Sequence, residues 1–191
     1  MASVPPVAVA VLAAGQSRRF GEADKLAAPF RGTMLGLHAC RTLSPLPFVF
    51  RWVVAPDTDH PCADGWREAG FAVVPNPDAA GGMGTSVALA ARLAVDAGAT
   101  SLLIALADMP LVPALHFANL LELAAPDVLL ASHNGEAPTP PAIFGHAHFE
   151  ELSRAKGDAG ARKLLRQAET LACDPDWLVD IDDPASLARY T

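Results

Sequence analysis

A chain of 191 residues that is 51% hydrophobic and 18% charged is long enough to bury one α/β core, short for two independent domains and too apolar for extensive disorder. Its net charge of -7 opposes nucleic acid or an anionic membrane as the main partner, because the average surface repels both. Three cysteines, Cys40, Cys62 and Cys173, lie far apart without metal-ligand spacing, which excludes a zinc site or a disulfide framework and fits reduced thiols in the cytosol.

The first apolar run, Val7–Leu12, reads as a buried strand. No basic residues precede it and it is too short for a signal peptide or a membrane span, so a cytoplasmic protein is expected. Further strands are expected at Phe50–Ala55, Ala72–Pro75, Ser101–Ala107, Asp127–Ser132, Ala142–Phe144 and Trp177–Ile181. Between them, helices are expected over Met34–Thr42, Asp64–Ala69, Thr85–Asp96, Pro113–Ala124, His146–Arg154 and Asp158–Gln167. Short, nearly all-apolar strands separated by helices are the pattern of a mostly parallel sheet buried under helices. No internal repeat is visible, and residues 1–191 read as one domain.

Four stretches carry chemistry. The first strand runs into Ala13-Ala14-Gly15, then Ser17, Arg18, Arg19 and Lys25. Small residues let a ligand approach the backbone, and the hydroxyl and cations can hold phosphates at the sheet's carboxyl edge. Neither G-x-x-x-x-G-K-[ST] nor G-x-G-x-x-G is present. Asp108 follows the strand Ser101–Ala107 and would point into the same cleft as a Mg²⁺ ligand; the competing reading is a helix cap. Near the C-terminus, Asp180 and Asp182 share one face of an extended run, either as metal ligands or as a surface acidic cluster before a terminal helix. Finally, Gly157-Asp158-Ala159-Gly160-Ala161-Arg162 offers a tight loop with a phosphate-binding arginine, or else an Asp158 cap paired with Arg162 at i+4. The six histidines are scattered, and no Ser-His-Asp elbow is present.

The stretch LAAGQSRRFGEADK resembles the L-A-A-G-x-S-x-R-[MF]-G-x-x-K signature of the molybdenum cofactor cytidylyltransferases, relatives of the guanylyltransferases. L-x-D-M-P-L-V at Asp108, G-M-x-x-S at Gly82, Met83 and Ser86, G-D-x-G-A-R at Gly157, and D-I-D at Asp180–Asp182 resemble the other motifs of that family in the same order. Asp183, Ala185 and Ser186 depart from the usual D-I-D-T-P-E-D-L and look like capping positions. The resemblance runs from Val7 to about Leu187. It implies a nucleotide-diphospho-sugar transferase fold, a three-layer α/β/α sandwich.

By the same resemblance, Leu12, Ala13, Ala14 and Gly15 would contact base and ribose, with Gly82, Met83 and Ser86 beside them. Ser17, Arg19 and Lys25 would handle the triphosphate, and Asp108 with Asp182 would hold Mg²⁺. Arg19, Lys25 and Asp108 are the catalytic candidates. Pro141, Gly157, Asp158, Gly160 and Arg162 would face the acceptor. LAAG rather than LAGG resembles the branch that uses CTP, with molybdopterin as acceptor and a molybdenum hydroxylase or its maturation factor as partner. A GTP-using relative, a sugar-phosphate nucleotidyltransferase and a non-catalytic cofactor carrier are the alternatives.

Overall fold

The computed structural model describes residues 6–15, 20 and 24–191, without the side chains of 158–161. Strand β1 (Val7–Leu12) is buried along its whole length, as a strand covered on both faces must be. Parallel partners flank it: β4 (Phe50–Ala55) on one side and β6 (Ser101–Leu106) on the other. β5 (Ala72–Pro75) extends the sheet beyond β4. Beyond β6 come β8 (Pro138–Gly145), β7 (Leu129–His133) and β9 (Glu169–Ala172). β8 runs antiparallel to both neighbours, and β7 and β9 are parallel. The sheet is therefore mostly parallel, as expected, with one reversed strand. A small ribbon, β2 (Pro29–Phe30) with β3 (Thr33–Met34), turns on Arg31 at φ 43° and Gly32 at φ 84°, the positive pair that a two-residue hairpin requires.

Helix α3 (Met83–Asp96) packs on β1, β4 and β6 and against α5 (Phe149–Ser153) and α6 (Gly157–Leu165). A separate group joins α1 (His38–Leu43) to α4 (Ala114–Glu122), which lies on β8. α2 (Ala63–Glu68) packs on β5, and α7 (Pro184–Tyr190) closes the chain. The main core is continuous across the sheet, and a smaller one gathers Phe30, Leu35 and Ile181.

Several expected elements differ. Met34 belongs to the ribbon, and helix α1 begins only at His38 after a 3-10 turn at Leu35–Leu37. α3 starts at Met83, two residues ahead of the expected Thr85, with Gly82 at φ 91° as its N-cap. His146–His148 is a 3-10 turn before α5. β8 is far longer than the expected Ala142–Phe144: its first half holds Pro138, Pro140 and Pro141 beside a register shift at Ala131/Ser132, and prolines, which donate no ladder hydrogen bond, hide a strand from its sequence.

The expected strand Trp177–Ile181 is not one. Asp174 accepts from the Asp176 N–H at 3.0 Å and Pro175 starts a 3-10 turn, Pro175–Leu178. Beyond it the chain runs extended outside the sheet, where the Ile181 N–H donates to the Asp108 carbonyl at 2.9 Å. The outer position is taken by β9, whose Glu-Thr-Leu-Ala is mostly exposed.

Candidate active site

The carboxyl edge of the sheet is built around the turn that leaves β1. The Ala13 N–H donates to Val54 at 2.8 Å and the Ala107 N–H donates to Leu12 at 3.0 Å, so the ends of β1, β4 and β6 are fastened together. Ala13 and Ala14 are buried while Gly15 is exposed. A Cβ built on Gly15 meets nothing within 4 Å among the described residues, so none of these demands glycine there. The chain returns to this edge at a 3-10 turn, Lys25–Ala27, capped by Asp24.

Lys25 is buried, and its ammonium meets three carboxylates. Its Nζ lies 2.7 Å from Asp108, 2.9 Å from Asp182 and 3.8 Å from Asp180. One oxygen from each aspartate falls within 4.8 Å of the other two. Asp108 enters directly from the end of β6. Asp180 and Asp182 enter from the extended run, with Ile181 turned the other way into the core of Phe30 and Leu35. Alternation along that run therefore does what a strand would do, without a ladder. Asp183 caps α7 by accepting from the Ser186 N–H at 2.7 Å, the capping role its sequence position suggested.

Burial by itself would lower the Lys25 pKa, but the charge and hydrogen bond of Asp108 and the hydrogen bond to Asp182 outweigh it and leave the pKa raised. Among the described residues, this one ammonium faces three carboxylates. At Asp180, partial burial first and then the charge of the neighbouring Asp108 push the pKa up to about 7, with Lys25 opposing. Carboxylate oxygens converging in this way are a hard donor set that suits Mg²⁺ or a similar divalent cation.

These groups open into a cavity of about 540 Å³, a size that accommodates a nucleotide. Leu12, Ala13, Ala14 and Gly15 line one wall; Gly82, Met83 and Ser86 at the start of α3 line another. Buried Asn76, at the end of β5, donates to the hydroxyls of Thr85 and Ser86 at 3.0 Å each and accepts from the Asp78 N–H at 3.1 Å. It fixes the first turn of α3.

Gly84 brings the remaining wall close. A Cβ there would lie 2.2 Å from the Gly157 carbonyl oxygen, so the starts of α3 and α6 touch backbone to backbone. Gly157 and Arg162 consequently line the same cavity as the carboxylates. A second cavity of about 400 Å³ shares Leu12, Met83, Leu106, Arg162 and Asp180 with the first and runs over Ile104, Ala142 and Phe144 toward Arg166.

The structure thus gathers Leu12–Gly15, Lys25, Gly82, Met83, Ser86, Asp108, Asp182, Gly157 and Arg162 around one space. Pro141 is not among them: it is buried, its carbonyl accepting from the Ser132 hydroxyl at 2.7 Å, while Pro140 and Ala142 on either side line the second cavity. Ser17 and Arg19 lie outside the described residues, as does the side chain of Asp158; Asp158 and Gly160 both fall within α6. Asn76 and Asp24 were not singled out by sequence; a polar residue directly after a strand or directly before a motif lysine was the available signal.

A MobA-like NTP transferase domain matches residues 9–171. Purine catabolism protein PucB of Bacillus subtilis is 35% identical over 190 residues, which span 91% of this chain and 90% of the relative. Nicotine blue oxidoreductase of Paenarthrobacter nicotinovorans is 30% identical, spanning 94% of this chain and 88% of the relative. A nucleotidyl transferase from Methanothermobacter superposes with a TM-score of 0.78 at 19% identity, covering 96% of this chain and 94% of that one. With the domain matched over most of its length, this chain belongs to the MobA-like NTP transferase family.

Proposed function

We propose that this protein transfers CMP from CTP to a phosphorylated acceptor, molybdenum-bound molybdopterin, and releases pyrophosphate. The family supports nucleotidyl transfer; the nucleotide, the acceptor and Mg²⁺ are the finer reading. The observation that carries it is the meeting of Lys25 with Asp108, Asp180 and Asp182 at the mouth of a nucleotide-sized cavity.

In the reaction, a terminal phosphate oxygen of the acceptor attacks the α-phosphorus, and the bond to the β-phosphate breaks as pyrophosphate leaves. Positioning and charge neutralisation are what such a displacement needs from a protein. Asp108 and Asp182 would hold Mg²⁺, which supplies charge neutralisation and Lewis acidity at the phosphates. Lys25 and Arg19 offer cations to the triphosphate, and Ala13 and Ala14 shape the floor beneath the base. The second cavity, with an apolar bed and Arg162 at its junction with the first, suits an acceptor that pairs a ring system with a phosphate.

CTP is preferred to GTP on the LAAG sequence of the first loop. A sugar-phosphate acceptor suits the apolar second cavity less well, and a cofactor carrier has no need of convergent carboxylates and a buried lysine. A redox reading, raised by the relative named as an oxidoreductase, needs an electron carrier; the first loop lacks the G-x-G-x-x-G spacing that would bind a dinucleotide. The test is product identification by mass spectrometry after incubation with Mg²⁺, molybdopterin and CTP, GTP, ATP or UTP in turn. A product heavier by CMP with CTP alone supports the proposal. A GMP adduct moves the specificity to GTP, and no adduct with any nucleotide overturns it.

A further inference from the structure

The loop ahead of α2 touches none of the carboxylates, yet two of its residues grip the turn that carries Lys25. The His60 Nε2 lies 2.6 Å from an Asp24 carboxylate oxygen. The Cys62 N–H donates to His60 Nδ1 at 3.0 Å, which leaves the ring proton on Nε2, pointed at Asp24. The other Asp24 oxygen accepts from the Leu26 N–H at 2.9 Å. On the far side of the lysine, the Cys62 thiol donates to the Leu26 carbonyl at 3.3 Å.

The residues immediately before and after Lys25 are therefore tied to the same three-residue stretch. That stretch is itself anchored. The His60 ring is buried and stacks on Trp66 at 4.8 Å between centroids, and the Trp66 indole N–H donates to the Gly36 carbonyl at 2.8 Å. Gly36 backs directly onto the turn, since a Cβ there would stand 2.9 Å from the Leu26 Cβ and 3.3 Å from the Cys62 sulfur. With its backbone held from behind, Lys25 extends its side chain forward to the aspartates.

We propose that His60 is a positioning residue for Lys25, holding the lysine turn through Asp24 so that the ammonium stays at the convergent aspartates. This rests on the reading of Lys25 as a catalytic group. His60 lines neither cavity, so its effect passes through the Asp24 carboxylate. A charge-assisted hydrogen bond in a partly buried setting is strong enough to help fix the turn in place.

The experiment compares His60→Ala, His60→Gln and Asp24→Asn with the wild-type protein, reading pyrophosphate release and, independently, the rate at which a small acylating reagent modifies Lys25, followed by peptide mass spectrometry. Both His60 variants lose the stack on Trp66, so a purely structural role would affect them equally. Only glutamine keeps an N–H able to reach Asp24. Asp24→Asn either sets an amide N–H against the His60 N–H or turns over and leaves the Leu26 N–H without its acceptor.

In His60→Ala and Asp24→Asn, kcat should fall by about ten- to a hundred-fold with the KM for the nucleotide changed less than about three-fold, as for a misplaced catalytic group. Lys25 acylation should quicken several-fold. His60→Gln should restore both to within a few-fold of wild type. Equal behaviour of the alanine and glutamine variants, or acylation unchanged in His60→Ala and Asp24→Asn, overturns the proposal. Should wild type release no pyrophosphate with any nucleotide, the catalytic reading fails by itself, and the acylation rates still decide whether His60 holds the lysine.

Discussion

Ala14 stands at the narrowest point of the nucleotide argument. Its methyl is buried and lines the cavity where the first strand ends, and a glycine there would add room for a larger base. Replacing Ala14 with glycine should raise the ratio of kcat/KM for GTP to that for CTP by about ten-fold or more, the range that one methyl commands in a closely fitted pocket; an unchanged ratio would remove this residue from base selection. Arg162 is exposed at the junction of the two cavities, and on the proposed function it would serve the other substrate. Arg162→Ala should raise the KM for the acceptor about ten-fold or more while leaving that for the nucleotide within a few-fold, as expected when a guanidinium to a phosphate is lost. At this scale the sequence was legible for cavity-lining residues such as Lys25 and Asp108, because they sit in motifs of fixed spacing. Asn76 and His60 act on other parts of the chain, through contacts that no local spacing records. His60 in particular reads as one of six scattered histidines until the fold brings it to Asp24.

The starts of α3 and α6 are the elements on which the shape of the site depends. A methyl on Gly84 would be driven into the Gly157 carbonyl at 2.2 Å, against backbone that cannot rotate away. Gly84→Ala should cost about 1–3 kcal/mol of stability, the usual consequence of overpacking, and should raise the KM of both substrates as the two helices part. Denaturant unfolding and steady-state kinetics check the two halves of that expectation, and a variant unchanged in both would show that the contact is slack. Element boundaries were most legible for β1, β4 and β5, whose bounds coincide with the apolar runs at the centre and one side of the sheet. The opposite side was harder. β9 is short, polar and exposed, so it carries no apolar signature, whereas the apolar Trp177–Ile181 run serves a turn and a second small core. Alternation along the run nonetheless set Asp180 and Asp182 together without a ladder.

Across the whole molecule, buried histidines couple folding to acidity. His116 is buried, and its Nε2 lies 2.7 Å from the Ser132 hydroxyl that donates to the Pro141 carbonyl. Burial lowers its pKa below the ordinary 6.5, so the unfolded chain takes up a proton before the folded one does. The contribution of neutral His116 is then fully present above about pH 6.5 and is lost as the pH falls toward the lower folded value. His38 is shifted in the same direction by burial, whereas Asp180, raised to about 7, works in the opposite sense, favouring the folded state below that value. The comparison with His116→Gln isolates the first effect. The difference in unfolding free energy between wild type and variant should be constant above neutrality and should move in the variant's favour as acid is added; a difference independent of pH would contradict the assignment.

Fold class was legible at this scale because strands buried on both faces separated by helices permit few arrangements, but the reversal of β8 was not, since its sequence is interrupted by prolines rather than patterned. The chemistry of the molecule depends on whether the carboxylates around Lys25 perform metal-assisted nucleotidyl transfer. Pyrophosphate release, measured for wild type and for Asp108→Ala with CTP and molybdopterin, with and without Mg²⁺, tests this directly. Release by wild type that requires Mg²⁺ and falls by about a hundred-fold or more in the variant is the predicted result. Release that persists without a divalent cation, or that survives the loss of Asp108, would contradict it.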